Sequence, residues 1–218
     1  MIPGLVFAAL ASTAFPPSAT YRYTGALGGQ QIGSWSVTVT GNAQAEQLKE
    51  TSSASIYGMP LAATATLVLG PDFAPSSYSG SYRTPSQTPT VSVTMSPNAA
   101  TVVGALSSQP RTIALDRDTR HFVIIEPGLL AGLFALPAQL NAWKDATVTW
   151  ITPVTAQAES LSINSSPAIA RPAAIPAGDA LLAVARPMAV TIWYDPSTLV
   201  PDEIEVPSQN AVLKRERS

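Results

Sequence analysis

The chain has 218 residues, of which 46% are hydrophobic and only 12% are Asp, Glu, Lys or Arg; it carries a formal net charge of -2, no Cys and a single His. Without cysteine there is no disulfide framework, no thiolate nucleophile and no Cys-based zinc or iron–sulfur site. Without a basic surface there is nothing to hold a phosphate backbone, which argues against nucleic acid as a partner.

From Met1 to Thr20 the chain has no charged residue, and Arg22 is the first. Ile2 to Leu10 is apolar, and Ala9-Leu10-Ala11 and Ser12-Thr13-Ala14 then offer small-residue cleavage sites. Pro16-Pro17 comes too early for a membrane span. Residues 1–19 therefore read as a signal-peptide remnant and residues 20–218 as one β-rich domain; the alternative is a buried first strand. No Cys stands near the cleavage region, which excludes a lipid-modified terminus, so export as a soluble periplasmic or secreted protein is expected.

The 20 prolines are nearly twice the usual share of about 5% and favour strands over helices. Period-two alternation marks those strands in chain order. Tyr21 and Tyr23 face one way before a Gly28-Gly29 turn. Trp35, Val37 and Val39 alternate with serines and threonines up to Gly41-Asn42. Ala63, Ala65, Leu67 and Leu69 end at Gly70-Pro71, and Val91, Val93 and Met95 end at Pro97-Asn98. Shorter apolar runs lie at Val102–Val103 and at Ile113 with Leu115. Later come Val148 with Trp150, Leu161 with Ile163, then Val190, Ile192 and Tyr194, then Ile204 with Val206, and Val212 onward. Such spacing suits an antiparallel meander with one face on a core or cavity and the other in water.

Two stretches break the pattern. Residues 164–178 are rich in Ser, Ala and Pro and read as an exposed, semi-extended loop. From Phe122 to Ala138, Glu126 is the only polar residue. The expectation is a short apolar helical insert near residues 119–143, started by Asp118 or Thr119, broken at Glu126-Pro127 and resumed with Pro127 in a first turn. Leu129, Leu130, Leu133, Phe134 and Leu136 then coat the second piece on all sides, so it must be buried or touch lipid. Pro127 and Pro137 interrupt it too often for a span. Two readings remain open: core packing against a curved sheet, or a lid over an apolar cavity.

A Ser–His–acid triad would have to use His121, with Asp116 and Asp118 close in sequence, but neither G-x-S-x-G nor S-x-x-K is present. The metal motif H-E-x-x-H and EF-hand spacing are also missing. Asp195, Asp202, Glu203 and Glu205 form the densest acidic group, for which solvated turn chemistry is the simpler reading and a weak calcium site the alternative. Gly128 and Gly132 suit close packing of helix on sheet. No catalytic constellation and no cofactor are expected.

Ile192-Trp193-Tyr194-Asp195, then Leu199, then Ile204-Glu205-Val206-Pro207 resemble the last strands of an uncharacterised family of exported bacterial proteins. Thr112-Ile113-Ala114-Leu115-Asp116 followed by His121-Phe122 resembles its strand end leading into an apolar helical segment. Asp202-Glu203 departs from it, since a basic residue often precedes the isoleucine there. The family stands alone or precedes an α/β-hydrolase domain. The resemblance implies the lipoprotein-carrier architecture (LolA-like and LppX-like): a strongly curved antiparallel half-barrel whose concave apolar face is covered by helices. It supplies no catalytic residues.

The expectation is therefore a mainly β, exported, non-enzymatic protein holding an apolar or acyl-chain ligand between sheet and helical lid. Phe122, Leu129, Leu130, Leu133, Phe134, Trp150 and Trp193 are its candidate liners. The alternative is an accessory or structural module for a partner hydrolase or envelope complex, and a third reading is a hydrolase dependent on His121.

Overall fold

The computed structural model describes residues 15–42, 44–56, 58–96, 98–104, 107–115, 121–144, 147–165 and 168–217. Most of the expected leader lies outside the described residues, as do Asp116, Asp118 and Thr119, the expected start of the insert. Eight strands come first: β1 (Thr20–Leu27), β2 (Gln30–Asn42), β3 (Ala45–Ile56), β4 (Met59–Leu69), β5 (Pro75–Arg83), β6 (Thr90–Ser96), β7 (Ala99–Gly104) and β8 (Ser107–Ala114). Then follow β9 (His121–Ile124), the helix α1 (Ala131–Trp143), β10 (Val148–Thr152), β11 (Gln157–Ser160) and β12 (Ser162–Ile163). The chain closes with β13 (Ala180–Arg186), β14 (Val190–Tyr194), β15 (Pro201–Val206) and β16 (Ala211–Arg215).

Each of β1 to β7 pairs antiparallel with the next, and β16 pairs with β1. The result is one 13-stranded sheet running from β12 at one edge through β16 and β1 to β8 at the other. Its two edges do not pair, so it stays an open, half-barrel-like sheet, in agreement with the expected fold class. The inward residues of successive strands, Tyr21 and Tyr23, Val37 and Val39, Leu48, Leu67 and Leu69, and Val91 and Val93, form one apolar cluster with α1. Phe134 of α1 packs its ring 5.2 Å from Tyr21 and edge-on 6.4 Å from Tyr23.

A second, three-stranded sheet is built from β9, β10 and β11, with β9 and β10 parallel. This corrects the expected insert. Phe122 to Ile124 are strand rather than helix, because a run of β-branched residues buried on both faces is what a parallel strand requires. The link before α1 is a turn: Leu129 N–H donates to Glu126 O at 3.1 Å, with Pro127 second and Gly128 third at φ +85. Those are the signature residues of a type II turn, whose third position needs a positive φ that Gly adopts at no steric cost. The helix proper spans only Ala131–Trp143 and runs through Pro137 instead of ending there.

Gly132 has the role expected of it, since a Cβ there would lie 2.1 Å from Ile124 O. The helix thus rests directly on the backbone that leaves β9. Its far end is tied to the loop after β4 by Gln139 Nε2–H donating to Phe73 O at 2.9 Å and Trp143 Nε1–H to Asp72 O at 2.7 Å. Among the described residues no helix is long and apolar enough to cross a membrane.

Candidate functional site

The first turn of α1 contains no acidic residue, and no local side chain caps it. Four N–H groups at such an end need partners. Here the sheet meets two amides: Glu50 of β3 points inward, and its Oε2 accepts from Leu130 N at 2.7 Å and Ala131 N at 2.8 Å. The row that holds it across the sheet is Val37, Glu50, Ala65, Gly80 and Val91. Ala65 and Gly80 are small where the carboxylate and the chain above it need room. A Cβ on Gly80 would stand 2.7 Å from the Tyr78 hydroxyl and 3.3 Å from Leu129 Cδ1.

Glu50 is completely enclosed, and among the described residues its other oxygen, Oε1, has no hydrogen-bond partner; the buried Tyr78 hydroxyl also lacks one. Burial pushes the Glu50 carboxyl up to about 7, against the opposing pull of the two amides. Glu126, also buried, accepts from Val154 N at 2.8 Å through Oε2. Its carboxyl is raised by desolvation as well, with Tyr82 and Val154 drawing it back. Both tyrosines, Tyr78 and Tyr82, are held far above the ordinary phenol range, by burial first and then by the charge of Glu126.

Beside this polar group lies an apolar cavity of about 120 Å³. Trp35, Ile32, Ala54, Leu61, Leu129 and Leu133 are among its walls, and Glu126 and Ser52 stand at its polar side. The Trp35 ring packs against Gly25, where a Cβ would be only 2.2 Å away. The segment from Glu126 to Leu133 roofs the cavity. Besides Glu50, it is held by the Tyr82 hydroxyl donating to Pro127 O at 3.3 Å and by Trp35 Nε1–H donating to Gly128 O at 3.5 Å.

Of the expected liners, Phe122, Leu129, Leu130, Leu133, Phe134 and Trp150 all join the one core cluster, but only Leu129 and Leu133 border the cavity. Trp193 lies outside that cluster, although it is buried. Its partner in β15 is Glu203, and the guanidinium of Arg171 lies 4.9 Å over its ring. The 164–178 loop is exposed at most of its described positions, as expected, and it brings Arg171 to that ring. The His121 ring packs against Trp143 with centroids 4.8 Å apart and the planes tilted by 44°. Asp195 accepts from the Ser197 amide and hydroxyl and from the Thr198 hydroxyl, bonds that lower its carboxyl and leave it serving its own turn. Among the described residues no group of three His, Asp or Glu could hold a metal ion.

Sequence reasoning missed Glu50, Tyr78 and Tyr82. The one available signal was Glu50 itself, a carboxylate in phase with Leu48 and Ala54.

By its own geometry the molecule is a mainly β protein in which, among the described residues, one large open antiparallel sheet covers one α-helix. No family model and no curated protein matches the chain. Among solved structures it is similar to a DUF1089 family protein from Pseudomonas aeruginosa, with 7% identity, 96% of each chain covered and a TM-score of 0.45. It is also similar to a beta-barrel-like protein of domain of unknown function DUF1849 from Brucella abortus, with 9% identity, 93% of this chain and 96% of that one covered and a TM-score of 0.44.

Proposed function

We propose that this is an exported, non-enzymatic protein, periplasmic or secreted, that holds an apolar ligand such as an acyl chain between the curved sheet and the roof segment 126–133. The observation that carries this reading is the cavity of about 120 Å³ with apolar walls at Trp35, Leu129 and Leu133. A dry cavity of roughly 150 Å³ lined by Leu, Ile and Phe takes benzene, so the closed form has room for a short apolar segment. A longer chain enters only if the roof moves. Affinity then comes from buried area, at about 25 cal/mol per Å² of apolar surface.

Uptake of a fluorescent fatty acid, with native mass spectrometry of gently purified protein, tests the proposal. Wild-type protein binds the probe, and Ala54→Leu, which fills the cavity from β3, weakens binding while the fold persists. A wild type that takes up no probe overturns it. The accessory-module reading then stands instead, favoured by the filled interior around Leu130, Phe134 and Leu136, none of which is exposed.

A further inference from the structure

Two of the hydrogen bonds that fasten the roof of the cavity to the sheet end on one carboxylate, and that carboxylate is only half satisfied. Glu50 Oε2 receives two amides of the helix start, while Oε1 lies enclosed with no donor among the described residues. An ionised carboxylate in that place is met only by the two amides on Oε2, and its second oxygen carries charge in a dry enclosure, which disfavours the ionised form. A neutral carboxyl keeps Oε2 as acceptor for both amides and places its proton on Oε1. The other groups that face this space add no positive charge. From β5 come Tyr78 and Tyr82, from the roof comes Glu126, and the cross-strand neighbours Val37 and Ala65 are apolar.

We propose that the contact between Glu50 and the start of α1 is a proton-sensitive latch on the cavity: a neutral Glu50 keeps the roof segment 126–133 down, and an ionised Glu50 lifts it. Its role as a gate rests on the apolar-ligand reading; the motion itself does not. Lifting the roof lets water reach Oε1 and returns the carboxyl toward its ordinary range. The closed form therefore binds the proton more tightly than the open one, and acid favours closure. Burial holds the Glu50 carboxyl near 7 in the closed form against 4.5 for a solvated one. Between those values the opening equilibrium rises by at most about tenfold per pH unit. Glu126, raised by the same cause, acts in the same direction.

Amide hydrogen exchange at Leu130 to Phe134, corrected for intrinsic rates and measured from pH 5 to 8 without ligand, reads the latch directly. Wild-type protein loses protection there as pH rises, by tenfold or more relative to core amides of β2 and β3, and Glu50→Gln removes most of that dependence. The same slope in both proteins, or no slope in the wild type, overturns the latch. Should Glu50→Gln fail to fold, the carboxyl carbon of Glu50 in the wild type is titrated by NMR. A midpoint near neutrality supports the proposal, and one in the ordinary carboxylate range overturns it. Faster uptake of the fluorescent fatty acid at pH 8 than at pH 5.5 is expected as well. If exchange depends on pH while uptake is absent, the latch stands and the ligand reading alone falls.

Discussion

Glu50 and Leu130 lie 80 residues apart in the chain, yet the carboxylate of the one accepts the amide of the other at 2.7 Å inside the protein. A helix start without a local cap is thereby completed by the sheet that covers it. Removing the carboxylate strands two buried N–H groups and opens a void. Glu50→Ala is expected to cost about 2–4 kcal/mol of stability. Glu50→Gln costs less than half of that, because its amide oxygen still accepts both bonds. Urea denaturation at pH 6 compares the two.

The same residue sets a pH dependence. Its carboxyl is raised on folding from 4.5 to about 7, so its contribution is fully present below about pH 4.5 and is lost as pH rises through 7. Wild-type stability should fall between pH 5 and 8 by more than that of Glu50→Gln. Denaturant midpoints across that range check it, and parallel curves would contradict the assignment.

The strands that could be read in the sequence were those whose inward positions are all apolar, such as Trp35-Val37-Val39 and Ala63-Ala65-Leu67. The strand holding Glu50 was not legible, because its inward row of Leu48, Glu50, Ser52 and Ala54 mixes apolar and polar side chains. Nor was β5, where Tyr78, Gly80 and Tyr82 alternate with serines and the glycine is required by what lies above it. In β13 the run Ala180–Arg186 alternates too weakly to separate strand from helix. The segment from Phe122 to Ala138 is buried except at Pro127 and Gly128, but uniform hydrophobicity carries no period, so the switch from strand through a Pro-Gly turn to helix was invisible in it. The polar half of the site follows from pairing between strands, which no local pattern encodes.

Gly132 meets the backbone of β9 so closely that an added methyl would stand 2.1 Å from Ile124 O and 3.1 Å from Ile125 Cα. Alanine is intrinsically the better helix former by about 1 kcal/mol. Here the clash prevails, because a backbone carbonyl cannot rotate away. Gly132→Ala should lose about 1–3 kcal/mol or more net, seen as a lower melting temperature and as weaker hydrogen-exchange protection of Ile125.

Phe134 and Leu133 sit side by side on the helix but in different surroundings. Phe134 is fully buried between Tyr21 and Tyr23, whereas Leu133 already borders the cavity. Phe134→Ala should cost about 3–5 kcal/mol, and Leu133→Ala should fall at or below the low end of the usual range of about 2–5 kcal/mol. Leu133→Ala also enlarges the cavity, so bound probe should be retained or increased. A Leu133→Ala that costs as much as Phe134→Ala would mean that the cavity is closed in solution.

Elsewhere in the sheet, buried Asp202 of β15 receives Arg215 Nη1 at 3.2 Å and Arg217 Nη2 at 2.9 Å, tying the last strand to its neighbour. Asp179 lies beside it, and its carboxyl is pushed up to about 6 by burial first and then by hydrogen bonding with Asp202 and by its charge. Asp202→Asn leaves the desolvation of Asp179 in place but removes the charge beside it. The Asp179 midpoint should therefore move down toward 3.8 without reaching it. In the wild type the contribution of Asp179 to stability is present below about pH 3.8 and lost as pH rises through 6; in Asp202→Asn that loss becomes smaller. Carboxyl NMR titration of Asp179 in both proteins decides the matter, and an unchanged midpoint would assign the whole shift to burial.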